Sequence, residues 1–172
     1  MVDYIEGDLF YADLPAIGHG VNCMGLMGKG IAKEFRRRYP EMYKAYRQLC
    51  LDRDLKLGDM FVWEPALPDE PLVYNLATQY SIGACADLVA ISKAVEMALR
   101  DCAERKITHL GLPHIGSGVG GLAWAEVEEI LEEISELVPE VTLVVVTQPP
   151  RPAAMVVDGV VDGPLWGNKL AK

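Results

Sequence analysis

Short apolar runs and longer amphipathic stretches follow one another along the chain. Six apolar runs predict strands, at residues 2–6, 16–21, 60–63, 72–76, 109–112 and 141–147. Apolar residues at helical spacing predict four helices, at residues 30–39, 41–51, 88–105 and 124–137. Pro40 ends the first of these helices, and Asp87 provides an N-cap for the third.

The alternation of strands and helices predicts an α/β sandwich with a mainly parallel sheet. The run VTLVVVT at residues 141–147 is apolar on both faces, as in a central strand that helices cover from both sides. In such a sheet the loops at the strand ends carry the functional site. A chain of 172 residues has room for one domain of ordinary size.

The last residues differ in composition from the rest of the chain. Residues 149–172 contain four prolines and two Asp-Gly pairs, but few residues that form a core. Two interpretations stay open, a disordered tail and a short hairpin that turns at Asp158-Gly159. We therefore predict one domain at residues 1–148, followed by a C-terminal tail at residues 149–172.

The charge is acidic overall but unevenly distributed. The formal net charge is -9 and the pI is near 4.8, which argues against a protein that wraps duplex DNA by neutralising its phosphates. Basic residues concentrate between Lys29 and Arg38, opposed there only by Glu34. This basic run is either a solvated helix face or a local attraction for an anionic ligand. The acidic residues between Glu126 and Glu140 indicate a solvated helix face.

Cysteine spacing and the N-terminal sequence bear on compartment and cofactors. The four cysteines are widely spaced, with no C-x-x-C pair, which argues against a zinc ribbon or a redox dithiol. The N-terminal sequence has acids where a signal peptide needs a basic region, and no run approaches the ~20 apolar residues of a membrane span. We expect a cytoplasmic protein with reduced thiols, no metal, no cofactor and no membrane association.

Two glycine-rich segments carry the candidate chemistry. Residues 18–32 and residues 113–122 each run from a strand through glycines into a helix. This arrangement leaves unpaired peptide N–H groups at a helix N-terminus, where a phosphate can bind, and glycine lets the backbone approach the anion. Two such turns at one edge of a sheet predict a diphosphate held between them.

Three familiar glycine or serine motifs do not apply. Gly116, Gly118 and Gly121 match G-x-G-x-x-G, but only one predicted strand follows them, whereas a dinucleotide-binding fold places this loop after its first strand. Gly28-Lys29 is followed by glycine rather than Ser or Thr, so it is not a P-loop. Ser117 lacks the G-x-S-x-G frame of a nucleophile elbow.

The chain resembles the macrodomain family in four sequence segments taken together. These segments are GDLF (7–10), VNCMGLMGKGIAKEF (21–35), NLATQ (75–79) and LPHIGSGVGGLAW (112–124). The resemblance extends over roughly residues 1 to 148. Within this family, the sequence is most similar to one branch. That branch contains the terminal ADP-ribose glycohydrolase, the DNA-ADP-ribosyl glycohydrolase and an ADP-ribose-1″-phosphate phosphatase. The resemblance implies a three-layer α/β/α sandwich with a mixed, mainly parallel sheet, and a site for ADP-ribose.

The resemblance also implies roles for individual residues. Asp8 would accept a hydrogen bond from the adenine amino group, and the Leu9 backbone N–H would lie beside it. Asn22 would contact the distal ribose. The implied ligand-binding residues are Asp8, Leu9, Asn22, Gly28, Lys29, Gly30, Ile31, Ala32, Thr78, Ile115, Gly116, Ser117, Gly118, Val119, Gly120 and Gly121. Asp8 on its own is equally well explained as a turn or N-cap residue.

Three positions depart from the catalytic pattern that the resemblance implies. Gln79 stands where the glycohydrolases have a lysine, and Gly120 stands where one of them has an aspartate. Ala32 stands where another branch has an acid, and Lys29 lies in the wrong loop to replace the lysine. The usual acid–base and nucleophile positions are therefore empty.

His19, Asn22 and Gln79 remain as candidate catalytic residues near the predicted distal ribose. We hypothesise that the chain releases ADP-ribose from a modified protein or nucleic acid, with Asn22 positioning a water that the ligand's own phosphate activates. His19 has a suitable intrinsic pKa for proton transfer but is equally explained as a core residue. The alternatives are a non-catalytic ADP-ribose reader and a phosphatase that uses His19. We expect a monomer.

Overall fold

The computed structural model describes residues 1–149, together with the backbone of two short strands, Val156–Val157 and Val160–Val161. These two strands pair antiparallel. The remaining residues of the segment 149–172, including Asp158 and Gly159, lie outside the described residues, apart from Pro149. The division into a domain at residues 1–148 and a C-terminal tail at residues 149–172 therefore stays a prediction.

The domain contains six strands and four helices in its described part. The strands are β1 (Val2–Glu6), β2 (Ala16–Asn22), β3 (Met60–Trp63), β4 (Leu72–Gln79), β5 (His109–Leu112) and β6 (Thr142–Thr147). The helices are α1 (Gly30–Arg38), α2 (Pro40–Leu51), α3 (Leu88–Glu104) and α4 (Trp124–Leu137). Asp87 caps α3 by accepting a hydrogen bond from the Ala90 backbone N–H at 2.7 Å, as predicted.

The six strands form one mixed sheet in the order β1-β6-β5-β2-β4-β3. Five strands are parallel, and the edge strand β3 pairs antiparallel with β4. The mainly parallel α/β fold predicted above is confirmed. The carboxyl ends of the five parallel strands lie at one edge, so the loops that follow them meet there.

Helices cover both faces of the sheet, which gives three layers. The buried cluster on one face joins Phe35 of α1 and Tyr46 of α2 to Ile17 and Val144 of the sheet. The cluster on the other face joins α3 and α4 to alternate residues of the same strands, such as Leu110 and Leu143. Strand β6 is buried on both faces, as its continuous apolar run predicts.

Two local features differ from the sequence prediction. Strand β4 extends to Gln79, three residues beyond its predicted end at Leu76, because the polar Thr78 is buried in the strand rather than exposed after it. A short 3₁₀ turn at Leu9–Tyr11, which the pattern does not predict, follows β1. Among the described residues no helix is both long and apolar enough to cross a bilayer.

Candidate functional site

A cleft of about 730 Å³ lies at the carboxyl edge of the five parallel strands. Each of these strands contributes to it, with Asp8 after β1, Thr147 at the end of β6, Pro113 after β5, Gly20 in β2 and Thr78 in β4. The sheet order therefore arranges the lining residues in a line from Asp8 at one end to Thr78 at the other.

The N-terminus of α1 forms one wall of the cleft. Lys29 is the N-cap residue and makes no side-chain capping hydrogen bond, so the first-turn N–H groups receive no capping partner from it. Gly30, Ile31 and Ala32 line the cleft at this point. An open helix N-terminus carries a partial positive charge and favours an anion.

The second glycine-rich turn forms another wall of the cleft. None of the peptide N–H groups of residues 116–120 donates to an acceptor within the described part of the chain. A hydrogen bond from a residue after the turn stabilises it instead, since the Leu122 N–H donates to the Gly116 carbonyl at 3.1 Å. Gly116 has a φ of +75°, a conformation that favours glycine. Both walls thus present peptide N–H groups, as the sequence predicts.

The end of the cleft beside β1 is polar. Asp8 caps the 3₁₀ turn, and its Oδ1 accepts a hydrogen bond from the Phe10 N–H at 2.9 Å. Next to Asp8, the Nε2 of His114 lies 2.9 Å from the Oγ1 of Thr147, whose carbonyl accepts a hydrogen bond from the Gly7 N–H at 3.0 Å. The ring of His114 stacks on Trp124 with 4.0 Å between the ring centroids, which fixes the histidine in place.

Gln79 lies at the other end of the cleft. Its Nε2 donates to the carbonyl oxygens of Ser81 at 2.6 Å and Gly83 at 3.4 Å. The Oε1 accepts no hydrogen bond from the described residues and is available to a ligand or a water. Gly20 lets Thr78 approach closely, because a Cβ at position 20 would lie 2.7 Å from the Thr78 Oγ1.

Asn22 does not line the cleft, although the sequence predicts it there. Its Nδ2 donates to the Leu26 carbonyl at 2.7 Å, and its Oδ1 accepts from the Met24 N–H at 3.0 Å and the Tyr46 hydroxyl at 3.1 Å. These bonds close the loop that connects β2 to α1. Because its carboxamide is engaged in this way, the expected contact of Asn22 with a catalytic water does not fit the structure.

His19 is fully buried and does not line the cleft. Its ring stacks on Phe35 with 3.8 Å between centroids, and its Nε2 lies 3.0 Å from the Oδ1 of Asn75. Burial lowers the pKa of His19 to about 3, so the ring is neutral at physiological pH. The structure supports the core interpretation of His19 and removes the residue on which the phosphatase hypothesis depended.

Most of the other predicted residues do line the cleft. Those brought together there are Asp8, Leu9, Lys29, Gly30, Ile31, Ala32, Thr78, Gln79, Ile115, Gly116, Gly118, Val119 and Gly120. Gly28, Ser117 and Gly121 do not line it, because they lie in the turns behind or beside the lining residues. Gly120 has no room for a side chain, since a Cβ there would lie 2.5 Å from the Gly116 carbonyl oxygen.

Sequence reasoning missed a further group of lining residues, which are Phe10, Gly20, Glu34, Pro113, His114, Val146, Thr147 and Gln148. Three of these directly follow a predicted strand and three lie in its last residues, so the rule that sites lie at carboxyl strand ends could have found them. Glu34 could not be found in this way. It lies on α1, and hydrogen bonds from Arg37 lower its pKa to about 2.

Two candidate groups, Cys23 and Glu34, are unsuited to serve as a nucleophile or a base. Burial raises the pKa of the Cys23 thiol to about 11, so Cys23 is protonated and unreactive. Glu34 is held by Arg37 and Arg38 at 2.6 and 2.7 Å, which makes it a poor base. Residues 1–149 contain no group of three His, Cys, Asp or Glu side chains that could hold a metal ion.

Comparisons with known proteins agree with this geometry. A family model described as Macro domain matches residues 19–131. The chain is 37% identical over 161 residues to the DNA ADP-ribosyl glycohydrolase of Mycobacterium tuberculosis, which covers 93% of this chain and 45% of that protein. This chain thus spans less than half the length of the Mycobacterium tuberculosis protein. The solved macrodomain of Mycobacterium tuberculosis DarG superposes with a TM-score of 0.79 at 38% identity, covering 87% of this chain and 98% of that chain.

A second kind of relative is a phosphatase. The chain is 30% identical over 157 residues to the ADP-ribose 1''-phosphate phosphatase of Candida albicans, which covers 80% of this chain and 96% of that protein. Both named activities are hydrolytic, and both names contain ADP-ribose or an ADP-ribosyl group.

Proposed function

This chain belongs to the macro domain family, and we propose that its cleft binds ADP-ribose and that the chain hydrolyses the bond at C1″ of the distal ribose. The product is free ADP-ribose, released from a modified macromolecule. The observation that supports this proposal is that two turns line the cleft with peptide N–H groups that remain free to bind an anion. The glycohydrolase relatives support the reaction class.

The order of the strands supports one orientation of the ligand. The carboxylate of Asp8 at the β1 end suits the exocyclic amine of adenine. The α1 N-terminus and residues 116–120 lie between the two ends and suit the diphosphate. The distal ribose then reaches Thr78 and Gln79 at the β4 end, where the scissile bond would lie.

The chemistry we propose relies on positioning and electrostatics. A water attacks C1″, the bond from C1″ to the modified atom breaks, and a diphosphate oxygen of the ligand takes the water's proton. The leaving atom takes a proton from solvent. The free Oε1 of Gln79 positions this water, whereas Asn22 shapes the loop that holds the ribose. The peptide N–H groups stabilise charge that develops on the ligand.

Substitution of Gly118 tests the binding step. A Cβ at this position meets no atom within 4 Å, so Gly118→Gln and Gly118→Glu should fold equally well. The two side chains match in size, and only Glu places a negative charge in the anion site. We expect Gly118→Glu to bind ADP-ribose about tenfold more weakly than Gly118→Gln in calorimetric titration. Equal affinities would remove the diphosphate from this turn, and no binding by the wild type would refute the proposed function.

Substitution of Gln79 tests the catalytic step. Incubation with ADP-ribosylated DNA, an ADP-ribosylated protein and ADP-ribose-1″-phosphate shows whether ADP-ribose or phosphate is released. We expect Gln79→Ala to lower kcat by about 10- to 100-fold while its affinity for ADP-ribose stays close to that of the wild type. Binding without any release would make the chain a reader of ADP-ribose. Release of phosphate alone would make it a phosphatase, the second candidate, which the Candida albicans relative favours.

The modified macromolecule, the compartment and the oligomeric state belong to the proposal as well. The name of the Mycobacterium tuberculosis relative favours DNA over protein as the modified macromolecule. Action in the cytoplasm and as a monomer stays a prediction.

A further inference from the structure

The polar end of the cleft contains a histidine that the proposed reaction does not use. His114 follows β5 and lines the cleft. Its Nε2 lies 2.9 Å from the Oγ1 of Thr147, the last residue of the neighbouring strand β6. Strand β6 lies between β5 and β1, so the ring is directed toward Asp8 and away from Gln79 at the β4 end. His114 is therefore remote from the bond that the reaction breaks.

The position of His114 is fixed by two contacts. Its ring stacks on Trp124 at the start of α4, with an angle of 6° between the ring planes. Its carbonyl accepts a hydrogen bond from the Ser117 hydroxyl at 3.0 Å, which joins it to the second glycine-rich turn. A polar group that is already fixed loses little conformational entropy when it binds a ligand. Packing on Trp124 alone would not require a polar ring, since phenylalanine stacks as well.

Both His114 and Thr147 can make further hydrogen bonds. The Nδ1 of His114 makes no hydrogen bond within the described residues and is not fully buried, so a ligand can reach it. The bond to His114 leaves the Thr147 hydroxyl with spare capacity, because a hydroxyl can donate one hydrogen bond and accept two. A ligand hydroxyl can likewise donate to Nδ1 or accept from it, whichever ring nitrogen carries the proton. The pair thus suits a ligand with two neighbouring hydroxyls.

The order of the strands places this pair beside the ribose that carries adenine. The proposed orientation has adenine at Asp8, after β1, and the diphosphate at residues 116–120, beyond β5. The part of ADP-ribose between these two groups is the adenosine ribose, with its 2′- and 3′-hydroxyls. Strands β1 and β5 are two strand spacings apart, about 10 Å, which suits the length of a nucleoside.

The charges at this end of the cleft disfavour a further anion. Lys29 is the one Lys or Arg among the described residues that line the cleft, and it lies at the N-terminus of α1. The carboxylate of Asp8 lies at the polar end instead. A phosphate on the adenosine ribose would therefore approach a carboxylate and no lining cation.

We propose that His114 and Thr147 bind the 2′- and 3′-hydroxyls of the adenosine ribose, and that this contact restricts the ligand to one in which both hydroxyls are unsubstituted. The inference rests on the proposed function, because it requires ADP-ribose in the proposed orientation. His114 is then a specificity-determining residue at the end of the cleft opposite the scissile bond. A phosphate or a sugar attached to either hydroxyl would break the contact.

The test measures the affinities of ADP-ribose and three analogues by calorimetric titration. The analogues are altered in the adenosine ribose alone, and they are the 2′-deoxy, the 3′-deoxy and the 2′-phosphorylated compounds. His114→Phe keeps the stack on Trp124 but removes both ring nitrogens, whereas His114→Asn returns an amide near the place of Nδ1. His109→Phe is the matched control, since His109 lies at the amino end of β5, at the opposite edge of the sheet.

We expect wild type and His109→Phe to bind ADP-ribose about fivefold to tenfold more tightly than at least one deoxy analogue. They should bind it about tenfold or more tightly than the 2′-phosphorylated analogue. His114→Phe should bind ADP-ribose about fivefold to tenfold more weakly than the wild type, and no more tightly than the deoxy analogues. His114→Asn should recover part of this discrimination. A merely structural role would weaken the binding of all four ligands equally.

Three results overturn the inference and leave the proposed function standing. The first is a wild type that binds ADP-ribose and both deoxy analogues equally. The second is a His114→Phe variant that discriminates among the ligands as the wild type does. The third is a 2′-phosphorylated analogue that binds as tightly as ADP-ribose. Failure of the wild type to bind ADP-ribose at all refutes the proposed function itself, and the inference with it.

Discussion

Some polar residues of β2 and β4 lie in the interior of the protein, and others line the cleft. His19 and Asn75 lie on the α1/α2 face of the sheet and bind each other there, 3.0 Å apart. Thr78 and Gln79 reach the cleft at the end of β4. Residue type alone does not separate the two groups, because histidine, asparagine and glutamine suit both roles. Burial and hydrogen-bond partners do separate them.

His19 gives a prediction about pH. The unfolded chain binds a proton at this histidine near its ordinary pKa of 6.5, and burial lowers the folded pKa to about 3. Stability from this residue is therefore fully present above pH 6.5 and is lost as the pH falls toward 3, by at most about 1.4 kcal/mol per pH unit. Urea unfolding between pH 4 and pH 7 should show this slope.

His19→Gln is the control for that slope. Glutamine keeps a donor for Asn75 but does not titrate, so the variant should be less stable at pH 7 and should depend less on pH between 4 and 6.5. A slope equal to that of the wild type would assign the acid sensitivity to another group.

Helix α2 supports the first glycine-rich loop although it does not line the cleft. The hydroxyl of Tyr46 donates to the Asn22 carbonyl at 2.6 Å, and the Asn22 side chain in turn binds the backbone of Met24 and Leu26. The geometry of the loop therefore depends on an element that lies behind it. The position of the α1 N-terminus depends on this loop in turn, since residues 23–29 connect it to β2.

Removing one hydroxyl tests this support. We expect Tyr46→Phe to lower the free energy of unfolding by about 1 to 2 kcal/mol, because the buried Asn22 carbonyl keeps only the weak Cys50 thiol contact at 3.9 Å, and to weaken ADP-ribose binding by a few-fold. Urea unfolding and calorimetric titration measure the two effects. Tyr43→Phe is the matched control, since the Tyr43 hydroxyl makes no hydrogen bond within the described residues. An equal loss of stability in both variants would contradict a specific role for Tyr46.

The whole described core lies before residue 148. Both buried clusters are formed by residues from Leu9 to Val146, and all six strands of the main sheet end by Thr147. The cleft likewise uses no described residue beyond Gln148. For the molecule as a whole, we therefore predict that the functional unit is the sheet with its two helical layers.

Truncation after Gln148 tests this boundary. We expect residues 1–148 to unfold at the same temperature as the full chain, within about 2 °C, and to bind ADP-ribose with the same affinity. Differential scanning calorimetry and titration check both expectations. A large loss of stability or affinity would show that residues 149–172 belong to the domain.

Local sequence pattern is sufficient to place the elements and the edge at which they meet. Periodicity predicts the strands and helices, since burial on one or two faces dictates where apolar residues recur. The two glycine-rich turns follow from the same pattern, because each joins a strand to a helix. These local features require no knowledge of the distant neighbours of a residue.

The direction in which each polar side chain faces depends instead on how the layers pack. Asn22 and His19 stand in the strand that leads to the cleft, yet one binds its own loop and the other packs on Phe35. Asn22 binds Met24 and Leu26 nearby in sequence. The partners that lie on other elements, Tyr46, Phe35 and Asn75, are 16 or more positions away. Contacts over such separations form only when the helices close over the sheet, so local pattern cannot predict them.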